Sequence, residues 1–312
     1  MTGPLIDVHV HVLPSDDDPM RDGYEIWEYG AKEGVVFSDA RGTVDEIDAA
    51  VGEAGFAHVV AVNLFAADVV RDAALAALPA GERQHEHAAA EIDESMPDRL
   101  RGFNRWICDV ARTRPWMTPF VAADPHVLGG ESGAAHLREM AESHGARGIK
   151  IHPAVQRFRP DDPGMGPIYR ECRNLGLAVL SHTGSSRGPI EWAEPQAFAR
   201  VLQDHPGLTV VLAHLGGGRW RQTAELAAAY PNAVFDLCEV IEWTGAADAP
   251  TDAQLAALIR EVGPDRVVMG SDWPWYDLGH TVERVNELPG LSDEERDGIL
   301  GGNAARILGL PI

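Results

Sequence analysis

Eight short apolar runs, rich in β-branched residues, recur along this chain with stretches of helical composition between them. They are LIDVHVHV (5–12), HVVAVNL (58–64), MTPFVAAD (117–124), ARGIKIHP (146–153), AVLSHTG (178–184), TVVLAHLG (209–216), AVFDLCEV (233–240) and RVVMGSDWPW (266–275). Near-continuous apolar strands separated by helices imply a parallel sheet covered on both faces. Helices are expected at 43–54, 131–144, 166–175, 193–204, 219–230 and 251–262, the first opening on Thr43 with Glu46 three residues on, a capping box. From the fourth run onward the repeat is about 30 residues, the length of one βα unit. Eight such units in 312 residues point to an α/β chain closed as a (β/α)8 barrel, the TIM barrel. An open doubly wound sheet would carry a Gly-rich phosphate turn after its first strand, whereas here that strand runs into LPSDDD. The Gly216–Gly218 triplet lacks the spacing of such a turn.

Two stretches break the period. The loop at 13–42 is long and acidic and holds Tyr24, Trp27 and Tyr29; the connection at 65–116 has room for two or three helices, one of them at 93–112 with Trp106. These are long insertions after strands 1 and 2, at the end of the barrel where loops shape a substrate site. Closing helices are expected at 292–300 and 303–308, and one domain over 1–312, since no linker or low-complexity tract interrupts the chain.

In a strand, residues i and i+2 share a face, so His9 and His11 should point together, with Asp7 beside them. Near the C-terminal ends of later strands lie Lys150 in the fourth, His182 in the fifth, His214 in the sixth and Asp272 in the eighth. A lone buried histidine is ordinarily a hydrogen-bonded core residue. Four of them with an aspartate at the catalytic end of one barrel argue instead for a divalent transition metal, with zinc a natural choice and manganese an alternative. His152 shares a face with Lys150, and a structural role is expected for it. His85, His87, His136, His144 and His205 fall in helices or loops and read as surface.

Composition narrows the partners. A net charge of −22 argues against nucleic acid or anionic membrane, and no apolar run reaches the ~18 residues of a membrane span. Cys108, Cys172 and Cys238 are odd in number and far apart, which indicates neither a disulfide framework nor a cysteine metal cluster and fits a reducing cytoplasm. The expected partner is a small-molecule substrate, with a homo-oligomer allowed.

DVHVH, GIKIHP, LSHTG, LAHLGG and GSDWP occur in this order on the first, fourth, fifth, sixth and eighth strands. Together they resemble the amidohydrolase superfamily, and within it the amidohydrolase-related branch that includes aminocarboxymuconate-semialdehyde decarboxylase. The resemblance covers residues 5 to about 275. It implies that His9, His11, His182 and Asp272 hold the metal, and that His214 stands beside the activated water as base or electrostatic partner. It also offers a second arrangement. Binuclear relatives carry a carbamylated lysine on strand four that bridges two metals, and Lys150 with His214 would complete that set; the branch itself generally works with one metal.

A metal-activated water suits hydrolysis of a C–O or C–N bond in a lactone, amide or ester, with Asp272 and His214 managing protons. This hydrolase reading is the first expectation. The alternative is a non-oxidative decarboxylase or hydratase acting on an unsaturated or aromatic carboxylic acid at the same site. A barrel that keeps its metal without catalysis is the third reading, and the complete ligand set opposes it. Arg41, Arg157 and Arg187 follow strands one, four and five and are candidates for a substrate carboxylate, although surface arginines are common. Phe158, Trp192, Trp220, Trp273 and Trp275 suggest a pocket for a flat or apolar substrate, Trp273 being the named candidate. Of the 26 basic residues only Lys32 and Lys150 are lysines, so an amine mid-strand in GIKIHP points to a need that a guanidinium does not meet.

Overall fold

A computed structural model describes residues 3–18, 28–79, 81, 86–186 and 190–310. Among them run eight strands: β1 (Ile6–Val10), β2 (His58–Val62), β3 (Met117–Ala122), β4 (Gly148–Ile151), β5 (Ala178–Ser181), β6 (Val210–Leu212), β7 (Ala233–Asp236) and β8 (Val267–Val268). They pair in sequence order, each parallel to the next. Every strand residue is buried, as a sheet covered on both faces requires. The ring closes between β8 and β1 through a bridge at Val10 and Trp273. Backbone bonds across that seam run from Val8 N to Met269 O (3.0 Å), Asp272 N to His9 O (2.9 Å) and His11 N to Trp273 O (2.7 Å). The barrel expected from the sequence is the barrel observed.

Apolar side chains sort by strand face. Val60, Leu180, Val211, Val234 and Val268 fill the inside, with Ala304 and Leu310 from the C-terminal segment packed against them. Val59, Ile149, Val179, Leu212 and Phe235 face outward, in one cluster with Ile47, Leu137 and Ile259 of the surrounding helices. β1 changes sides part-way: Ile6 and Val8 join the inner cluster, Val10 and Val12 the outer. The change coincides with a register shift between Asp7 and Val10, a β-bulge. The bulge turns His9 and His11 inward and leaves Asp7 on the other side, so the expected grouping of Asp7 with the histidines does not hold.

Helices α1 (Val44–Ala54), α2 (Ala67–Ala77), α3 (Glu86–Arg112), α4 (Gly130–His144), α5 (Gly166–Leu175), α6 (Ala199–Asp204), α7 (Thr223–Ala229), α8 (Asp252–Val262), α9 (Leu278–Glu287) and α10 (Asn303–Leu308) surround the sheet. α1 begins with the predicted box: Glu46 accepts from the Thr43 N–H (2.9 Å) and hydroxyl (2.8 Å). The second insertion is α2 with α3. In the first, Tyr24 and Trp27 lie outside the described residues, while Tyr29 is buried and stacks on Trp243 at 5.6 Å. The helix expected at 219–230 starts later, at Thr223, because a 3-10 segment (Ala213–Gln222) precedes it with His214, Leu215, Gly216 and Gly217 at positive φ. Among the described residues no helix is long and apolar enough to cross a membrane.

Candidate metal centre

The apolar runs extend beyond the strands they form, and the overhang carries the chemistry. His11, His182, His214 and Asp272 all lie beyond the C-terminal ends of their strands, which close at Val10, Ser181, Leu212 and Val268. With His9, Lys150, His152, Leu64 and Trp275 they line one cavity. His9 Nε2 and His11 Nε2 are 3.2 Å apart, and Asp272 Oδ1 lies 3.4 Å and 3.2 Å from them. The His182 and His214 rings meet through Nδ1 and Nε2 at 2.9 Å, and His152 stacks on His182 at 3.7 Å. His152, expected to be structural, is therefore part of the wall. The glycine before Ser271 makes this closeness feasible: a Cβ on Gly270 would stand 2.8 Å from His9 Cβ and 3.3 Å from Cys238 Cβ.

These donors fit a divalent cation in charge state as well as position. Burial holds His9, His11, His182 and His214 below the usual histidine range, so the rings are neutral. Burial alone would raise Asp272, but His9 and His11, the latter by hydrogen bond, outweigh it and keep the carboxyl below its ordinary range. Neutral imidazoles and an ionised carboxylate are the protonation states that metal binding requires. Lys150 Nζ reaches His9 Nε2 at 2.6 Å, with burial pushing its amine below the ordinary lysine range. A loaded site must turn this amine aside or neutralise it.

Strand β7 supplies groups that the sequence did not single out. Asp236 Oδ2 sits 2.9 Å from His9 Nδ1, and its Oδ1 accepts from His214 N at 2.8 Å. Cys238 Sγ approaches His9 Nδ1 (3.0 Å) and His214 Nδ1 (3.1 Å), so one free cysteine adjoins the site, a neighbour the sequence reading did not single out. Glu239 is buried with φ 60°, its Oε2 3.7 Å from His214 Nδ1 and without a hydrogen bond among the described residues. Burial, and then the charges of Glu28, Asp272 and Asp236, push its carboxyl well above the usual range. Only a positional signal could have found these three: they lie at the end of the one strand after the third from which the sequence reading took no candidate.

The substrate candidates fare differently. Arg157 is 73% exposed and pairs with Asp68 at 3.1 Å, and Arg41 Nε donates to Asp16 O at 2.8 Å. Neither lines the cavity, and Arg187 lies outside the described residues. Trp273 is buried in the outer apolar cluster, and Trp275 takes the cavity position instead, edge-on to His11 at 5.1 Å. Asp272 and Trp275 line the cavity, so the sequence reading chose the wrong rim aromatic when it named Trp273.

A family model described as amidohydrolase matches residues 6–310. The chain belongs to the amidohydrolase family. This amidohydrolase is 31% identical over 211 residues to 2-amino-3-carboxymuconate-6-semialdehyde decarboxylase of Dictyostelium discoideum, a match spanning 58% of each chain and so less than two thirds of that relative. It is 30% identical over 274 residues to gamma-resorcylate decarboxylase of Rhodococcus jostii, covering 73% of this chain and 76% of the other. A shorter match, 33% over 107 residues, links the amidohydrolase to L-fucono-1,5-lactonase of Burkholderia multivorans (30% and 36% of the two chains). Among solved structures, dihydroxybenzoic acid decarboxylase of a Polaromonas species, with bound manganese and the inhibitor 2-nitroresorcinol, shares the fold: TM-score 0.64, 17% identity, 99% and 98% coverage.

Proposed function

We propose that this amidohydrolase is a divalent-metal-dependent decarboxylase of a small unsaturated or aromatic carboxylic acid. The observation that carries the metal is the convergence of His9 Nε2, His11 Nε2 and Asp272 Oδ1 within 3.4 Å of one another, with His182 and His214 adjoining. His9, His11, His182 and Asp272 hold the cation in this reading, manganese or zinc. Similarity to two decarboxylases over longer stretches than to the lactonase supports carbon–carbon cleavage over the hydrolysis expected first. When bound, the cation supplies Lewis acidity, polarising a substrate oxygen and lowering the pKa of a water.

The chain's own residues then do the following. Lys150, the cationic side chain among the described cavity residues, attracts the substrate carboxylate. Trp275 and Leu64 give the unsaturated body of the substrate an apolar wall. The bond to the carboxylate breaks with its electron pair left on carbon, carbon dioxide departs, and a proton takes its place. His214 is positioned to relay that proton: its Nδ1–H faces the Cys238 carbonyl oxygen at 3.2 Å, and its Nε2, turned toward His182 in the cavity, would take a proton from solvent water and pass it to the carbon. A second cation bridged by a carbamylated Lys150 with His214 is the competing stoichiometry.

The test is to load metal-free protein with zinc or manganese and offer unsaturated and aromatic carboxylic acids beside lactones. Carbon dioxide release that needs the metal is expected. Acid release from lactones alone, with no carbon dioxide, would replace this reading with the hydrolytic one. A His9→Ala/His11→Ala double variant should hold no cation, and full occupancy in it would reject the ligand set. Metal counting with intact mass under bicarbonate separates one cation from two with a carboxylated Lys150.

A further inference from the structure

The structure assigns Asp236 a positioning role: it fixes His9 in the tautomer with its hydrogen on Nδ1, leaving the Nε2 lone pair free for a cation. This rests on the metal-centre reading above and adds a residue to it. Asp236 is fully buried at the end of β7. Its Oδ2 faces His9 Nδ1 at 2.9 Å, while Oδ1 meets His214 N (2.8 Å), Cys238 N (3.3 Å) and Cys238 Sγ (2.9 Å). As a carboxylate Asp236 has lone pairs and nothing to donate: three donors crowd Oδ1, and Oδ2 is left facing His9 Nδ1. His9 Nδ1 must therefore carry the hydrogen.

The opposite edge of the ring reaches the same answer independently. Lys150 Nζ, which brings hydrogens, stands 2.6 Å from His9 Nε2, and that contact needs a lone pair on Nε2. Contacts from β4 and β7 thus select one tautomer of a residue on β1. Asp236 also receives the backbone N–H of His214, held at φ 61°, so one anion sets both the His9 ring and the main chain that carries His214. His9, Asp236 and Cys238 bring three metal-capable atoms together, but a cation among them is the weaker reading. Two of the hydrogens on Asp236 Oδ1 are backbone N–H groups, which cannot be displaced as protons.

The experiment is nuclear magnetic resonance of isotope-labelled histidine in the metal-free full chain, alongside zinc and manganese titration of wild type and Asp236→Asn. An asparagine keeps an oxygen for the His214 and Cys238 N–H groups and turns its amide NH2 toward His9 Nδ1. The ring hydrogen should then move to Nε2, onto the position the cation needs. Wild-type His9 is expected as the Nδ1–H form and the variant as Nε2–H, with affinity for either cation about 10–100-fold weaker. A wild-type His9 protonated on Nε2, or a variant with wild-type affinity and an unchanged tautomer, would overturn the assignment. If Asp236→Asn does not fold, the wild-type spectrum still decides. Wild-type protein that binds neither cation would reject the metal-centre reading, and the His9 tautomer would still judge Asp236.

Discussion

His214, Glu239 and Asp272 follow three successive strands and share a left-handed backbone, with φ of 61°, 60° and 64°. Such a conformation costs a non-glycine residue on the order of 1–3 kcal/mol, and it persists where the surroundings over-determine it. Here the surroundings are one another's side chains. If His214 moves a proton and does not hold the essential cation, His214→Ala should keep its metal while losing about 10²–10⁴-fold in rate; metal analysis beside turnover checks both halves. Glu28 makes a second case. Its carboxylate accepts from Ser185 N (2.6 Å) and Gly218 N (3.1 Å), yet burial pushes it up to about 7, against those bonds. The unfolded chain loses this proton near the ordinary glutamate value, the folded chain only near 7. Stability should therefore fall as pH rises through that window, by at most about 3 kcal/mol, and Glu28→Gln should flatten the slope in urea midpoints between pH 4.5 and 7.5. Residues of this kind are poorly legible in sequence. A histidine inside an apolar run stands out, and so did His9, His11, His182 and His214. Glu28, Asp236 and Glu239 are three acids among 48 and carry no such contrast.

The strands themselves were readable because burial on both faces leaves near-continuous apolar runs. Their ends were not. β8 is only Val267–Val268 within a run of ten residues, and β6 only Val210–Leu212, because each strand stops where the chain turns to present its polar side chain. Tight contact between elements is equally silent: Gly270 looks like any glycine until β8 is laid between β1 and β7. Its missing side chain is a matter of space, with His9 and Cys238 on either side. Gly270→Ala should cost about 1–3 kcal/mol by overpacking, read from denaturant midpoints, and should weaken the cation by shifting His9. At the helix starts that carry a capping box local chemistry sufficed. Thr251 and Gln254 form the same reciprocal box as Thr43 and Glu46, so Thr251→Ala should lower stability by about 1 kcal/mol without touching metal content.

At the scale of the whole barrel, the candidate ligands do not share one strand. His9 and His11 stand on β1 and just after it, Asp272 follows β8, and the ring closes between these two elements. A cation there binds the folded ring and not the open chain, so at about a hundred times its Kd it adds about 2.7 kcal/mol. Chelation should lower the melting temperature by several degrees, and the His9→Ala/His11→Ala variant should show no response to chelator. The seam's location has a kinetic meaning too. Val8, His11 and Asp272 donate backbone bonds that join its two sides, and among the described residues no regular ladder backs them up. Once the cation is stripped, these three amides should trade their protons for deuterium well before those of β3 and β4. The place where the ring would first come apart is then the place its chemistry occupies, and turnover becomes a sensor of how well the circle is shut.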